Sequence, residues 1–410
     1  MNRLTEMVSA LCPEGVPYVS MGSLMNRSRD KAKSDNTISQ VYVVSNTQGM
    51  VRAEDYRTNT THSEDTSNYT IIRDGMVAYN PSRLNIGSIA MLNSDVPGLV
   101  SPMYVVFSID EKKILRRYFE YLMKSSFVAN RINAFKEEGA RFRFDYSRWN
   151  WIKIPLPPLE IQQEIIDILS KFEQLSAGLR EELENREIQL KEYIEILLDR
   201  KHLVSFQDIK MSDLFSFKNG LSKGKDFFGS GTPIVRYTDV YNNRFLHKTD
   251  IDALVTCTDK ELSNLKVNKG DVFFTRTSEI ADEVGYSSVM LDDIENCVFN
   301  GFTIKAHPKT EKLLPEYCAF CFSTMEFRNY VTSHCAFTTR ASLTGKAIGE
   351  YSLPVPEKEE QRKIVKCLMP MYKICYDIGE GLPAEIDERE KQFCFYRDKL
   401  LSFEDYPIKE

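Results

Sequence analysis

The chain has 410 residues, 42% hydrophobic and 27% charged, and a net charge of −6. Those proportions exclude a disordered polypeptide and leave room for two or three domains with ordinary cores. No apolar run reaches the roughly 18 residues of a membrane span, and the opening "MNRLTEMVSALCPEG" has no long apolar core of a secretory leader, so a cytoplasmic protein without a membrane anchor is expected.

In chain order, residues 1–154 carry strand-like runs ("QVYVVS", "GMVAYN", "PMYVVFSI") followed by the helix-like "KKILRRYFEYLMKSSFVANRI", with a segment charge of +4. Residues 155–202 read as one helical region with a charge of −5. Pro157 and Pro158 suit a helix start, where a missing N–H costs little. Apolar side chains then recur at Ile161, Ile165, Ile168, Phe172, Leu175 and Leu179, the 4-3-4-3-4 spacing of a coiled-coil seam. About 40 helical residues at ~1.5 Å each would make a rod of about 60 Å. Residues 203–353 return to strands ("PIVRYTDV", "GDVFFTRT", "NGFTIKAH") and then the helix-like "LLPEYCAFCFSTMEFRNYV", with a charge of −2. Residues 354–410 are again helical, with a charge of −3 and a break expected at "GEGLP", Gly379 to Pro383. Strands followed by a helix in each globular segment indicate compact mixed α+β modules.

The second half repeats the first. A shift of 199 residues puts Tyr118 on Tyr317, Arg141 on Arg340, Pro155 on Pro354, Gln162 on Gln361, Ile165 on Ile364 and Leu169 on Leu368. Past Leu169 the shift becomes 203, and Gly178 meets Gly381. Glu182, Arg186, Gln189 and Tyr193 then meet Glu385, Arg389, Gln392 and Tyr396. The order is module, helix, module, helix, a pseudo-twofold tandem. One reading of the repeated polar quartet is solvated surface with an i, i+4 Glu–Arg pair. The identity of the two copies favours a layer that fixes helix register or docks a partner.

Signals for catalysis are fragmentary. "DFFGSGT", Asp226 to Thr232, resembles the glycine-rich S-adenosylmethionine loop of amino-methyltransferases, but a strand, not a helix, is expected after it. "YNPSR", Tyr79 to Arg83, has Ser82 and Arg83 where the Asn-Pro-Pro-Tyr motif of those enzymes has a proline and the base-stacking aromatic. Cys318 and Cys321 form a lone C-x-x-C inside an apolar helix, better suited to core thiols than to zinc. Nine irregularly spaced cysteines suit free thiols in a reducing compartment.

"IPLPPLEIQQEIIDIL" (Ile154 to Leu169) and "GLPAEIDEREKQFCFYRDKLLSF" (Gly381 to Phe403) closely resemble the conserved regions of type I restriction-modification specificity subunits, the HsdS family. Two variable modules, each followed by such a helical region, extend the resemblance over essentially the whole chain, although "SAGLREELENREIQL" lacks the Pro-Ala of "GLPAE". The resemblance implies two globular target recognition domains separated by long antiparallel helices. Each domain would read one half of a bipartite double-stranded DNA target. The helices would set the spacing and dock two methyltransferase subunits, with restriction subunits joining the complex. This chain would be non-catalytic and bind no cofactor or metal, while S-adenosylmethionine, ATP and Mg would serve its partners. The alternative is a DNA adenine methyltransferase or a fused restriction-modification enzyme.

Candidate DNA-contacting residues are polar and basic positions in loops after strands. They are Ser82, Arg83, Arg141 and Arg143 in the first module, and Lys223, Lys225, Arg236, Arg276, Thr277, Arg340 and Lys346 in the second. Arginine suits guanine O6/N7, and lysine more often meets phosphate. Trp149 and Trp151 are expected to be packing anchors.

Overall fold

The computed structural model describes residues 2–35, 37–56, 65–135, 142–337, 339–403 and 408–409. The chain forms two compact units, residues 1–179 with 385–410 and residues 180–384.

The first unit is built on a four-stranded antiparallel sheet. Its strands are β1 (Met25–Ser28), β4 (Val77–Tyr79), β5 (Ile89–Met91) and β6 (Val105–Ile109), in the order β1-β6-β4-β5, while β2 (Tyr42–Ser45) and β3 (Gly49–Arg52) form a separate hairpin. Val77, Ala78 and Tyr79 are all buried, because alternate side chains serve two cores. Val77, Tyr79, Met91 and Phe107 meet helices α1 (Arg116–Lys124) and α2 (Ser126–Ala134), and Ala78, Leu92 and Val106 meet Tyr42 and Val44 of the hairpin. Trp149 is fully buried, edge-on to Tyr79 and Phe144, as a packing anchor should be; Trp151 is instead exposed, against Phe135 and Arg148.

The second unit repeats this plan, with helices α4 (Pro315–Cys321) and α5 (Met325–His334) in the places of α1 and α2. Its sheet holds β7 (Phe215–Asn219), β9 (Phe245–Leu246), β10 (Val272–Thr275), β11 (Ser287–Met290) and β13 (Thr303–Pro308), in the order β7-β13-β10-β11-β9. Strand β8 (Phe228–Val235) lies outside that sheet and pairs with β12 (Val298–Phe299).

Helix α3 (Leu159–Leu198) is continuous through Gly178. A Cβ there would meet no atom within 4 Å, and one glycine costs about 1 kcal/mol relative to alanine, too little to break so long a helix. In the second copy the expected break is present. Helix α6 (Lys358–Tyr376) stops, Asp377 accepts the N–H groups of Gly379 and Glu380 at 2.8 and 3.1 Å, and α7 (Leu382–Ser402) begins. A Cβ on Gly381 would lie 2.5 Å from the Asp377 carbonyl oxygen, so glycine is required at that turn.

Each half of α3 runs antiparallel to a second helix in its own unit. In the first unit the Tyr18 hydroxyl, on a strand paired with Pro155, donates to the Ser402 carbonyl at 3.0 Å, and Phe172 stacks on Tyr396 at 5.3 Å. In the second unit the Val204 N–H reaches Glu360 at 2.9 Å, and Leu190, Ile194 and Leu198 share a core with Ile364, Leu368 and Cys375. The expected seam is displaced in its later turns. Ile161 and Ile165 are buried and Ile168 and Phe172 half-buried, but Leu175 is exposed while Leu169 and Ser176 are buried. The first turns of α3 pack on their own module, with Ile161, Ile165 and Leu169 in one core with Tyr118 and Tyr121, so the buried stripe follows the module as well as the partner helix.

The junction of module and helix is the most faithful part of the repeat. Buried Gln162 accepts the Leu115 N–H at 2.9 Å and donates to the carbonyls of Lys113 and Pro157, both at 2.8 Å. Buried Gln361 accepts the Leu314 N–H and donates to the carbonyls of Lys312 and Pro356, all at 2.8 Å. The hydroxyls of Tyr118 and Tyr317 reach the carbonyls of Pro155 and Pro354 at 3.5 and 3.1 Å.

Candidate nucleic-acid interface

In the second module β13 is antiparallel to both β7 and β10. The segments after Asn219 and Thr275 and the segment before Thr303 therefore collect at one end of the sheet. Gly220 allows the close approach, since a Cβ there would lie 2.0 Å from the Asn300 carbonyl oxygen. The Arg276 N–H donates to the Phe302 carbonyl at 2.8 Å, and its guanidinium reaches the Gly301 carbonyl at 3.3 Å. The Asn300 N–H bonds the Val235 carbonyl at 3.0 Å, which brings Arg236 to the same rim. Thr277–Ser278 pairs with Ala341–Ser342, which pairs with Ala336–Phe337, and this small ribbon carries Arg340 to Glu279 at 3.2 Å.

The rim thus gathers Lys223, Arg236, Arg276, Thr277 and Arg340, with Lys225 exposed in the adjoining turn Lys225–Phe227. Their availability differs. The Lys223 ammonium, only 13% exposed, bonds Glu261 at 2.8 Å and the Thr256 carbonyl at 2.9 Å. That ammonium, with the Thr258 N–H, pulls the Glu261 carboxyl down to about 2, so the tether persists into acid. Arg236 is held by Asp239 at 2.8 Å and Asp252 at 2.5 Å, and Asp239 also accepts the Arg236 backbone N–H at 2.7 Å at the start of the helix Tyr237–Asn242. Arg276 has spare donors, and the exposed Arg340–Glu279 pair is of a kind worth about 0–1 kcal/mol, easily exchanged for a ligand. Lys346 is exposed on the helix Gly345–Gly349, and no hydrogen bond or ion pair among the described residues ties it to these arginines.

The first module has the same rim, because β6 is antiparallel to β1 and β4. Asn80 folds the chain after β4, its side chain accepting the Ser82 N–H at 2.9 Å and its carbonyl the Arg83 N–H at 3.0 Å. Ser82 and Arg83 are exposed there. The Phe144 N–H bonds the Pro81 carbonyl at 3.0 Å, the counterpart of the Leu343 N–H on the Arg276 carbonyl at 2.9 Å, and carries Arg143 to the rim, 3.5 Å from Asp145. Arg141 lies outside the described residues.

Sequence reasoning passed over the aromatic side chains of the second rim. Phe302 and Phe337 are 55% and 64% exposed beside Arg276 and Arg340. Tyr237, Tyr241 and Tyr286 form a ladder with ring centroids 5.9 and 4.9 Å apart, and the Arg328 guanidinium lies 4.5 Å from the last ring. Adjacent glycine and arginine in "NGFT" and "AFTTR" are the signal that could have found the two phenylalanines.

The repeated polar quartet makes the same bonds in both copies. Arg186 reaches Glu182 at 2.7 Å and Gln189 at 3.1 Å, and Arg389 reaches Glu385 at 3.3 Å and Gln392 at 3.0 Å. These partners lie on the arginine's own helix. Arg389 keeps a buried Nε with no partner. Tyr193 is exposed, and Tyr396 is stacked on Phe172.

The methyltransferase-like fragments dissolve in the fold. The glycines of "DFFGSGT" lie within β8, with Gly229 and Gly231 at φ +105° and +101°, and the strand runs on to Val235 before the short helix Tyr237–Asn242 begins, so no helix starts at the glycines. Tyr79 of "YNPSR" is buried, its hydroxyl donating to the Phe144 carbonyl at 3.3 Å. Cys318 and Cys321 are buried in the helix Pro315–Cys321, and burial pushes the Cys321 thiol up to about 12. Among the described residues no cluster of His, Cys, Asp and Glu could hold a metal ion, and no helix is long and apolar enough to cross a membrane.

Two mixed α+β modules in tandem, each followed by a helical region and each with basic side chains at one end of its sheet, define the class as an internally duplicated two-module protein. Residues 13–185 and 204–388 each match the family described as the type I restriction modification DNA specificity domain, and the chain belongs to that family. It is 28% identical over 322 residues to the EcoR124I/EcoR124II specificity subunit of Escherichia coli, covering 74% of each chain. It is 26% identical over 260 residues to a putative type I specificity subunit of Mycoplasma pneumoniae, covering 61% of this chain and 93% of that one. Two solved structures share the fold. One comes from work on complex assembly and conformational transition of the type I R-M system (TM-score 0.62, 18% identity, 95% and 98% of the two chains). The other is the HsdS subunit of Thermoanaerobacter tengcongensis (TM-score 0.50, 16% identity, 97% and 99%). The chain's role is DNA specificity within a restriction-modification system, not methyl transfer.

Proposed function

We propose that each module reads one half of a two-part DNA target with its rim, while the helical regions set the distance between the halves and dock two modification subunits. The observation that carries this reading is the repeat of the rim itself: the same strands, in the same order, present basic side chains at the same end of both sheets. A target read at two points needs a fixed separation between readers, and a continuous helix of 40 residues is suited to supply it. The acidic helices repel phosphate, which leaves DNA contact to the modules. The chain supplies recognition and no cofactor of its own. S-adenosylmethionine, and the ATP and Mg of translocation and cleavage, belong to the partner subunits, with restriction subunits completing the complex in the cytoplasm.

Methylation mapping in cells that express the chain with its modification subunit is expected to return a two-part motif with a gap and adenine methylation on opposite strands. A continuous single motif would overturn the reading.

Within the second module, Arg276→Ala and Arg340→Ala are expected to weaken binding roughly tenfold or more each, as for the loss of a base-edge arginine. Discrimination should relax in one half-site only. A titration with DNA duplexes altered in one half or the other measures this, and equal loss at both halves would contradict the assignment. Lys223→Ala should act through folding of its loop, because its ammonium already serves Glu261.

A further inference from the structure

Among the described residues, the sheet of the first module stops one strand short of that of the second. In the second module β9 lies parallel along β11, which donates the N–H of Val289 to the Arg244 carbonyl at 3.1 Å and the N–H of Leu291 to the Leu246 carbonyl at 2.9 Å. Phe245 turns to the helix side, with Phe320 and Tyr372 at 5.6 and 4.9 Å, and Leu246 joins the core on the other face with Val235 and Phe273.

The first module has no such strand among the described residues. Val77 pairs with Met91 as Val272 pairs with Val289, so Met91 stands where Val289 does and Asn93 where Leu291 does. The Leu92 N–H goes to Met76 and the Asn80 N–H to Ser88, which fixes the even-numbered residues of this stretch as those bonded to β4. Met91 and Asn93 therefore turn their N–H groups away from the sheet, and no backbone carbonyl among the described residues accepts either. That edge faces a cavity of 820 Å³ between the β2–β3 hairpin and the helices, lined by Met50 on one side and by Phe119, Met123 and Ile132 on the other. Unpaired donors on an open edge in a two-sided apolar slot are a template for strand addition.

We propose that this edge accepts an extended segment of the modification subunit as an added strand parallel to β5, a proposal that rests on the docking role given above. The segment carries two adjacent apolar side chains, one for each face, as Phe245 and Leu246 do in the second module. Its flank carries a carboxylate for Lys124, which lines the slot with no carboxylate partner among the described residues, whereas Arg52 and Arg397 pair with Glu54 at 3.9 Å and Asp398 at 2.9 Å. The slot is continuous with the helical docking region, because Arg397 belongs to α7. The apolar floor and the carboxylates of Asp55 and Glu120 disfavour a nucleic-acid strand.

Hydrogen exchange at Met91 and Asn93, compared between the chain alone and its assembly with the modification subunit without DNA, tests the proposal. The expected result is at least tenfold slower exchange at both amides in the assembly. Asn93→Pro, at an exposed position, removes an outward N–H and leaves the Leu92 bond to Met76 intact; it is expected to weaken assembly roughly tenfold while its melting stays close to that of the parent. An assembly that forms with these amides exchanging as fast as in the free chain, or protected only when DNA is added, would overturn the added strand alone. Failure of the chain to assemble with a modification subunit would overturn the docking reading, and the added strand with it.

Discussion

Gln361→Met is expected to lower the stability of the second unit by about 3 kcal/mol or more. Methionine matches glutamine in length but leaves three groups without a partner, the part-buried Leu314 N–H and Lys312 carbonyl and the buried Pro356 carbonyl. Each unsatisfied group costs about 1–3 kcal/mol. At ~2–4 °C per kcal/mol for a unit of this size, the melting transition should fall by roughly 6–12 °C. Gln162→Met should act in the same way on the first unit. Gln163→Leu is the contrast: Gln163 is exposed and, among the described residues, its side chain bonds only Asp167 on its own helix, so its loss should cost less than about 0.5 kcal/mol. Melting followed by circular dichroism separates these outcomes, and a drop for Gln361→Met no larger than that for Gln163→Leu would show that the junction does not lock helix to module.

That glutamine was visible in the sequence as a coincidence, Gln162 falling on Gln361 together with Tyr118 on Tyr317. Repeated residues at a constant offset must make repeated contacts if the fold is repeated, and these do. The helices were legible for the same reason as in any amphipathic segment, with periodic apolar side chains bounded by Pro157 and Pro158. Gly178 was ambiguous because a glycine alone does not decide between a helix and a break; the second copy breaks through Asp377, Gly381 and Pro383 acting together.

The rims were less legible. Arg276 and Arg340 were singled out as loop residues, but their neighbourhood depends on pairing between segments some 60 residues apart, which no local pattern records. Lys223 and Arg236 look alike in sequence to the available arginines and differ only in having Glu261 and Asp239 within reach. Phe302 and Phe337 read as core aromatics until their exposure is seen. The open edge at β5 was hidden because the repeat is weak between the strands: the short strand Phe245–Leu246 has no hydrogen-bonded equivalent beside Met91 among the described residues.

The spacing role makes the most direct demand on the molecule. Four residues inserted after Gly178 add one helical turn, about 6 Å at 1.5 Å per residue. Four more in the Asp377–Gly381 turn let the returning chain follow. The insertion point is open, with no atom within 4 Å of a Cβ at Gly178, and falls at the boundary of the two compact units, so the packing of each is retained. Base pairs are ~3.4 Å apart, so the gap in the methylated motif should lengthen by one or two base pairs while both half-sites keep their sequence. The turn insertion alone should leave the gap unchanged. Methylation mapping of cells expressing the lengthened chain is the measurement: a longer gap between identical half-sites is predicted, and an unchanged gap or an altered half-site would contradict the account.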